Sequence, residues 1–238
     1  MGISKHSAGF TIIEVILFLA VTGALTISIF ATSTVGINNQ RYIDAINTFK
    51  ATVQEEFTNT TQVGNSRANN VECPLRPGID PPVGASDCVV MGRLMTVDGD
   101  GNISRSNIIG VEPDTPSGSL SDTVNIRSYT PTIDDGQKQT DKMNWGTFVR
   151  GGPISIVIFR SPTSGNVLSF VHKGSVIASQ HDLELFMSDT TEFINSQPRV
   201  ICIDPSGWTV TETQAVIIVP YAAGPSGVEQ KTGMTECA

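Results

Sequence analysis

The chain has 238 residues, enough for one domain with a real core, and a formal net charge of −8. Charged residues make up 16% of it, against roughly 25% in ordinary soluble domains, and Ser, Thr, Asn, Gly and Pro take their place. That mixture suits an extracytoplasmic surface of strands and loops better than a cytosolic enzyme, and the acidic balance argues against nucleic acid as the main partner except through a local basic patch.

The first element in chain order is an apolar run. Residues 10–37 carry one formal charge, Glu14, and no proline, and about 20 such residues span a bilayer as a helix. Lys5 is the only fixed positive charge ahead of the run, and Asn38, Asn39, Gln40 and Arg41 begin a polar chain behind it. This asymmetry places residue 1 in the cytoplasm and the remainder outside. A cleavable secretory signal would have an apolar region of about 7–15 residues. The run here is about twice that, although Ala31-Thr32-Ser33 is a passable cleavage site. A plain signal anchor explains the length but leaves Glu14 unexplained, since a carboxylate near the centre of a membrane helix costs on the order of 2–3 kcal/mol.

Gly9-Phe10-Thr11-Ile12-Ile13-Glu14 resembles the processing motif of type IV pilins and type II secretion pseudopilins. The resemblance implies that residues 1–9 are a leader cut after Gly9 by a prepilin peptidase. It also implies that Phe10 becomes a methylated amino terminus and that Glu14 is the fifth residue of the mature chain. A free amine at Phe10 would be a cation about 6 Å of helix rise from Glu14. In the family the amine is thought to pair with the glutamate of a neighbouring subunit, which makes Glu14 the expected assembly residue. Helices over about residues 10–53 would pack as the filament core.

Beyond the apolar run, Tyr42, Ile46, Phe49, Val53 and Phe57 keep the three-four spacing of one helix face, with Ile43 beside them. Arg41, Asp44, Lys50, Gln54 and Glu55 lie on other faces. Residues 38–70 therefore read as an amphipathic helix and linker, the helix ending in the Thr-, Asn- and Gly-rich stretch 58–70.

From residue 71 the period changes to two. Runs at 89–91, 94–97, 124–129, 154–159, 167–171, 200–203, 208–213 and 215–219 are rich in β-branched residues and separated by turn formers. Residues 74–82 and 113–119 read as Pro-rich loops, residues 128–144 as a long polar excursion, and residues 182–194 as a short helix with a partial apolar face. The fold class expected is α+β: a long N-terminal helix, membrane-spanning in its first half and amphipathic in its second, packed on a mostly antiparallel β-rich head over residues 71–238. Residues 200–210, with Asp204-Pro205-Ser206-Gly207 at their centre, resemble the strand, turn and return strand near the carboxyl end of H-type minor pseudopilins and FimT-like minor pilins. The same residues would make a hairpin turn in any protein.

Four cysteines, Cys73, Cys88, Cys202 and Cys237, lie on the presumed outer side, where three disulfide pairings are open. The pairing favoured is Cys73 with Cys88 and Cys202 with Cys237, the second resembling the carboxyl-terminal disulfide loop of many pilins. A zinc site is the rival, without CxxC spacing or a nearby His to support it. His172, His181 and Asp182 sit close in sequence but match no catalytic motif, so no enzyme activity and no cofactor is expected. Asp98, Asp100 and Asn102 offer oxygens at alternate positions, as calcium loops do, yet Ile103 stands where an EF-hand needs Gly. A hairpin turn is the competing reading.

The function expected is that of a structural subunit, minor rather than major, of a filament of the pilus, secretion or DNA-uptake kind. Its partners would be the prepilin peptidase, other pilin or pseudopilin subunits, an inner-membrane assembly platform and, before assembly, the lipid bilayer. Its place would be the cytoplasmic membrane, crossed once, and then an extracytoplasmic or surface filament. The alternative is a single-pass anchored extracellular binding protein that does not polymerise.

Overall fold

The computed structural model describes residues 11–62, 88–113, 121–189, 198–208, 210, 212–218, 224–234 and 237. Its first element, α1, is a helix over Ile12–Thr61, about 75 Å long at 1.5 Å per residue. The helix runs to Thr61, four residues into the polar stretch, where Thr58, Thr60 and Thr61 each donate a hydroxyl to a carbonyl three or four residues earlier.

Two antiparallel sheets follow, built from β1 Cys88–Val97, β2 Asn102–Val111, β3 Thr132–Lys142, β4 Phe148–Val149, β5 Ile154–Arg160, β6 Val167–Lys173, β7 Arg199–Asp204, β8 Gln214–Ile218 and β9 Val228–Thr232. The larger sheet has the order β3-β2-β1-β5-β6 and the smaller β4-β7-β8-β9. Among the described residues two α-helices complete the head, α2 over Asp122–Ser128 and α3 over Gln180–Ser188. A long N-terminal apolar helix on antiparallel sheets gives a molecule that is pilin-like in shape.

The amphipathic stripe of α1 lies against both sheets. Tyr42, Ile46, Phe49, Val53 and Phe57 are buried with Met95, Val97, Ile156 and Ile158 of the larger sheet and Ile201, Ile203 and Val216 of the smaller one. At roughly 2 kcal/mol per fully buried side chain, five stripe residues contribute up to about 10 kcal/mol. The other face of the larger sheet is buried as well. Leu94, Ile108, Val157, Phe159 and Phe170 pack there on Ile126 of α2 and on Leu183 and Phe186 of α3, with Phe170 edge-to-face on Phe186 at 6.0 Å between ring centres. Burial on both faces explains the nearly unbroken apolar sequence of β5, a pattern more familiar from parallel sheets. Where β1 bulges between Val90 and Gly92, a Cβ on Gly92 would lie 2.1 Å from the Ile158 carbonyl oxygen. Only glycine fits.

Three expectations are corrected. Residues 124–129 form most of α2 rather than a strand, because a helix that buries Asn125 and Ile126 opens with Ser121 and Asp122. The polar excursion at 128–144 contains β3, an edge strand whose charged sequence Thr-Ile-Asp-Asp-Gly-Gln-Lys-Gln-Thr-Asp-Lys suits a solvent-facing edge. None of the described residues of 208–213 lies in a strand, while the run at 215–219 falls on β8. Residues 74–82 lie outside the described residues, as do most of 113–119.

Candidate functional site

Gly9, Phe10 and Cys73 lie outside the described residues. Glu14 is the third residue of α1 and exposed. The Thr11 hydroxyl accepts a hydrogen bond from the Glu14 backbone N–H at 3.3 Å, and the Glu14 carboxylate faces the Thr11 N–H at 3.5 Å. This reciprocal cap satisfies donors that a helix start otherwise leaves open. It gives Glu14 a local role beside any role in assembly.

Among the described residues, the large apolar side chains of the first half of α1 are exposed. Its most apolar stretch has a mean hydropathy of 2.4 and no buried residue, so α1 is long and apolar enough to cross a membrane. Thr22, Thr26, Thr32 and Thr34 each donate a hydroxyl to a carbonyl four residues back, at 2.7–2.9 Å. These polar side chains therefore carry no unmet donor into an apolar medium.

Where α1 enters the head it is clamped by polar contacts absent from the sequence reading. The buried Tyr42 hydroxyl donates to the Ile203 carbonyl at 2.6 Å and accepts from the Gln214 N–H at 3.0 Å, joining β7 to β8 through the helix. Burial, first of all, raises the pKa of that phenol. At the far end Glu56 is fully buried. Its carboxylate meets Arg93 Nε of β1 at 2.5 Å and Arg105 Nη1 of β2 at 3.5 Å. Arg93 also donates to Asn107, and Arg105 to Asp141 of β3. Helix and three strands thus share one ion cluster. Glu56 had a readable signal, since it falls three residues after Val53 on the stripe.

Cys202 of β7 and Cys237 are joined by a disulfide that spans 35 residues. Arg150 seals the junction from the side, with its backbone N–H on the Cys202 carbonyl at 2.8 Å, Nε on Asp204 at 3.2 Å and Nη1 on the Cys237 carbonyl at 2.5 Å. Cys88 is disulfide-bonded as well.

Of the oxygens weighed for calcium, those of Asp98 are used by their own turn. Asp98 accepts from the backbone of Asp100 and Asn102, both at 2.9 Å, and from the Asn102 side chain at 2.7 Å. These bonds, that of the Asn102 side chain first, hold the Asp98 carboxyl below its usual range. His172 faces the Ser175 hydroxyl at 2.8 Å, while Asp182 caps α3 by accepting from Ser179 and Ala178. Compared with protein families, with curated proteins and with solved structures, the chain has no match.

Proposed function

We propose that this chain is a prepilin-type structural subunit, cut after Gly9 by a prepilin peptidase and assembled through α1 into a type IV pilus or a secretion-like pseudopilus, as a minor component. One observation carries the reading. A single continuous helix serves as core backing in its second half, and among the described residues its most apolar stretch in the first half has none that is buried. Such a helix needs an apolar partner along its whole first half. A bilayer supplies that before assembly and neighbouring subunits supply it afterwards, with the assembly platform of the inner membrane handing one over to the other. The sequence Gly9 to Glu14 names the step that separates the two states.

Co-expression with a prepilin peptidase tests the reading. Removal of residues 1–9 is expected, with Gly9→Val blocking it, and an intact precursor beside an active peptidase would refute it. The second reading, an anchored binding protein that never polymerises, draws support from the Thr11–Glu14 cap, which gives the carboxylate a purely local use. Glu14→Ala separates the two. A subunit should lose incorporation into sheared filaments while still inserting in the membrane, whereas under the second reading only the helix end would loosen, by about 1 kcal/mol or less.

A further inference from the structure

The two tryptophans of the chain, Trp145 and Trp208, stand on adjacent turns at the end of the head from which the apolar half of α1 departs. β4 and β7 are antiparallel with Phe148 opposite Asp204, so the turn entering β4 and the turn leaving β7 share one end of that ladder. They also meet directly, since a Cβ on Gly146 would lie 3.9 Å from the Ser206 hydroxyl oxygen. Each turn holds a non-glycine residue in the left-handed region, Trp145 at φ 58° and Ser206 at φ 59°. Such conformations persist only where their surroundings fix them.

Trp145 is 48% exposed. Its ring N–H is already donated to Asp44 at 2.8 Å, and the Arg41 guanidinium lies 4.9 Å from its ring centre. What remains open is apolar ring surface with no hydrogen bond left to make. Arg41 stands four residues after Ile37, the last exposed apolar residue of the run, which is about 6 Å of helix rise. The rim is therefore level with the point where a membrane-crossing α1 leaves the hydrocarbon. Tryptophan and arginine are the side chains that settle at that depth, with an apolar body and a polar tip. The rim carries two cations and two anions, Arg41 and Asp44 each on Trp145 and Arg150 on Asp204 at 3.2 Å. No surplus charge selects anionic lipid.

We propose that the rim formed by Trp145 and Trp208 rests in the headgroup layer of the bilayer that α1 crosses, and holds the head against that membrane until the subunit leaves it. The occupant is a zwitterionic phospholipid headgroup layer. The inference rests on membrane insertion of α1, which both functional readings share.

The test uses the full chain in phosphatidylcholine vesicles as two single-tryptophan variants, Trp208→Phe and Trp145→Phe, with spin labels placed either at the lipid headgroup or deep in the acyl chain. Tryptophan emission in both variants should be lost to the headgroup label, spared by the deep label and unchanged by added salt. A third variant, Phe18→Trp with Trp145→Phe and Trp208→Phe, reports on α1 itself and should be quenched by the deep label. Quenching of this third variant without headgroup quenching of the first two leaves the anchor standing and overturns the rim contact. No quenching of the third removes membrane insertion and the proposal together. Rim emission that ignores labelled lipid and shifts only when subunits assemble makes the rim a subunit contact and overturns the proposal.

Discussion

Replacing Arg93 by methionine keeps most of the side-chain volume and removes the charge that holds Glu56. The Glu56 carboxylate is fully buried and bonds Arg93 Nε at 2.5 Å and Nη2 at 3.4 Å, with Arg105 farther off at 3.5 Å. Breaking a buried pair by removing one partner costs about 3–5 kcal/mol, because the remaining charge stays desolvated. Arg105 retains a share of the attraction but divides it among Glu55, Glu56 and Asp141. The lower end, about 3 kcal/mol, is therefore expected, a fall in melting temperature of roughly 6–12 °C for a domain of this size. Replacing both partners, as Glu56→Leu with Arg93→Met, removes the stranded charge and should restore most of the loss, since apolar replacements of buried pairs are often neutral or better. Near-ultraviolet dichroism of the full chain in detergent micelles follows the transition. A cost below about 1 kcal/mol for Arg93→Met, or a double variant no more stable than the single one, would refute the clasp as the fastening between α1 and the larger sheet.

Removing the disulfide as Cys202→Ala with Cys237→Ala frees a loop closed over 35 residues, worth about 4 kcal/mol by chain entropy. Urea midpoints should fall accordingly and amide protection in Val228–Thr232 should drop, and an unchanged midpoint would count against the bridge as a brace of the smaller sheet. Hydrogen bonds from Ser164 and then Asn166 hold Asp122 below its usual carboxyl range, and hydrogen bonds from Ser179 do the same for Asp182. Groups with depressed folded values contribute stability above the unfolded value, about 3.9, and lose it as pH falls through the lower folded value. Thermal midpoints should thus be level above about pH 5 and decline below about pH 4, less steeply in Asp122→Asn, and identical pH profiles for that variant and the parent would refute the assignment.

The stripe on α1 was legible because five buried positions keep helical spacing over four turns, far beyond chance alternation. Strands β5 and β6 were legible from their apolar, partly β-branched composition. Residues 124–129 misled because Val124 and Ile126 alternate over a window too short to separate period two from period 3.6, and Ile126 and Tyr129, three apart, both reach the core. β3 was hidden because an edge strand is selected for polarity. The clasp and the tryptophan rim have a different cause. Arg93 and Arg105 reach the same carboxylate only through the β1–β2 register that sets Arg93 opposite Asn107 and Met95 opposite Arg105. The turns that carry Trp145 and Trp208 become neighbours only once β4 pairs with β7. Long-range pairing of this kind leaves no local trace in one sequence.

The distribution of exposed apolar side chains bears on what drives assembly. Among the described residues, the large hydrophobics left in water are those of α1 from Ile12 to Ile37, with only Val89, Val124, Trp145 and Leu185 added by the head. At about 1.5–3 kcal/mol for each such side chain withdrawn from water, α1 is held out of solvent by far more than any head contact supplies. A bilayer and a bundle of like helices cover that surface about equally well, because lipid tails are as apolar as leucine. The hydrophobic effect therefore keeps α1 out of water but scarcely chooses between membrane and filament. The choice falls to groups whose surroundings differ in the two states. The hydroxyls of Thr22, Thr26, Thr32 and Thr34 are satisfied within the helix in either one. Among the described charges, Glu14 stands alone in the apolar half of α1, and a desolvated carboxylate there carries a cost, at most the roughly 2–3 kcal/mol of a helix centre, until a cation meets it. On the proposed reading, that difference at one residue, multiplied along a filament, directs the helix from lipid into the assembly.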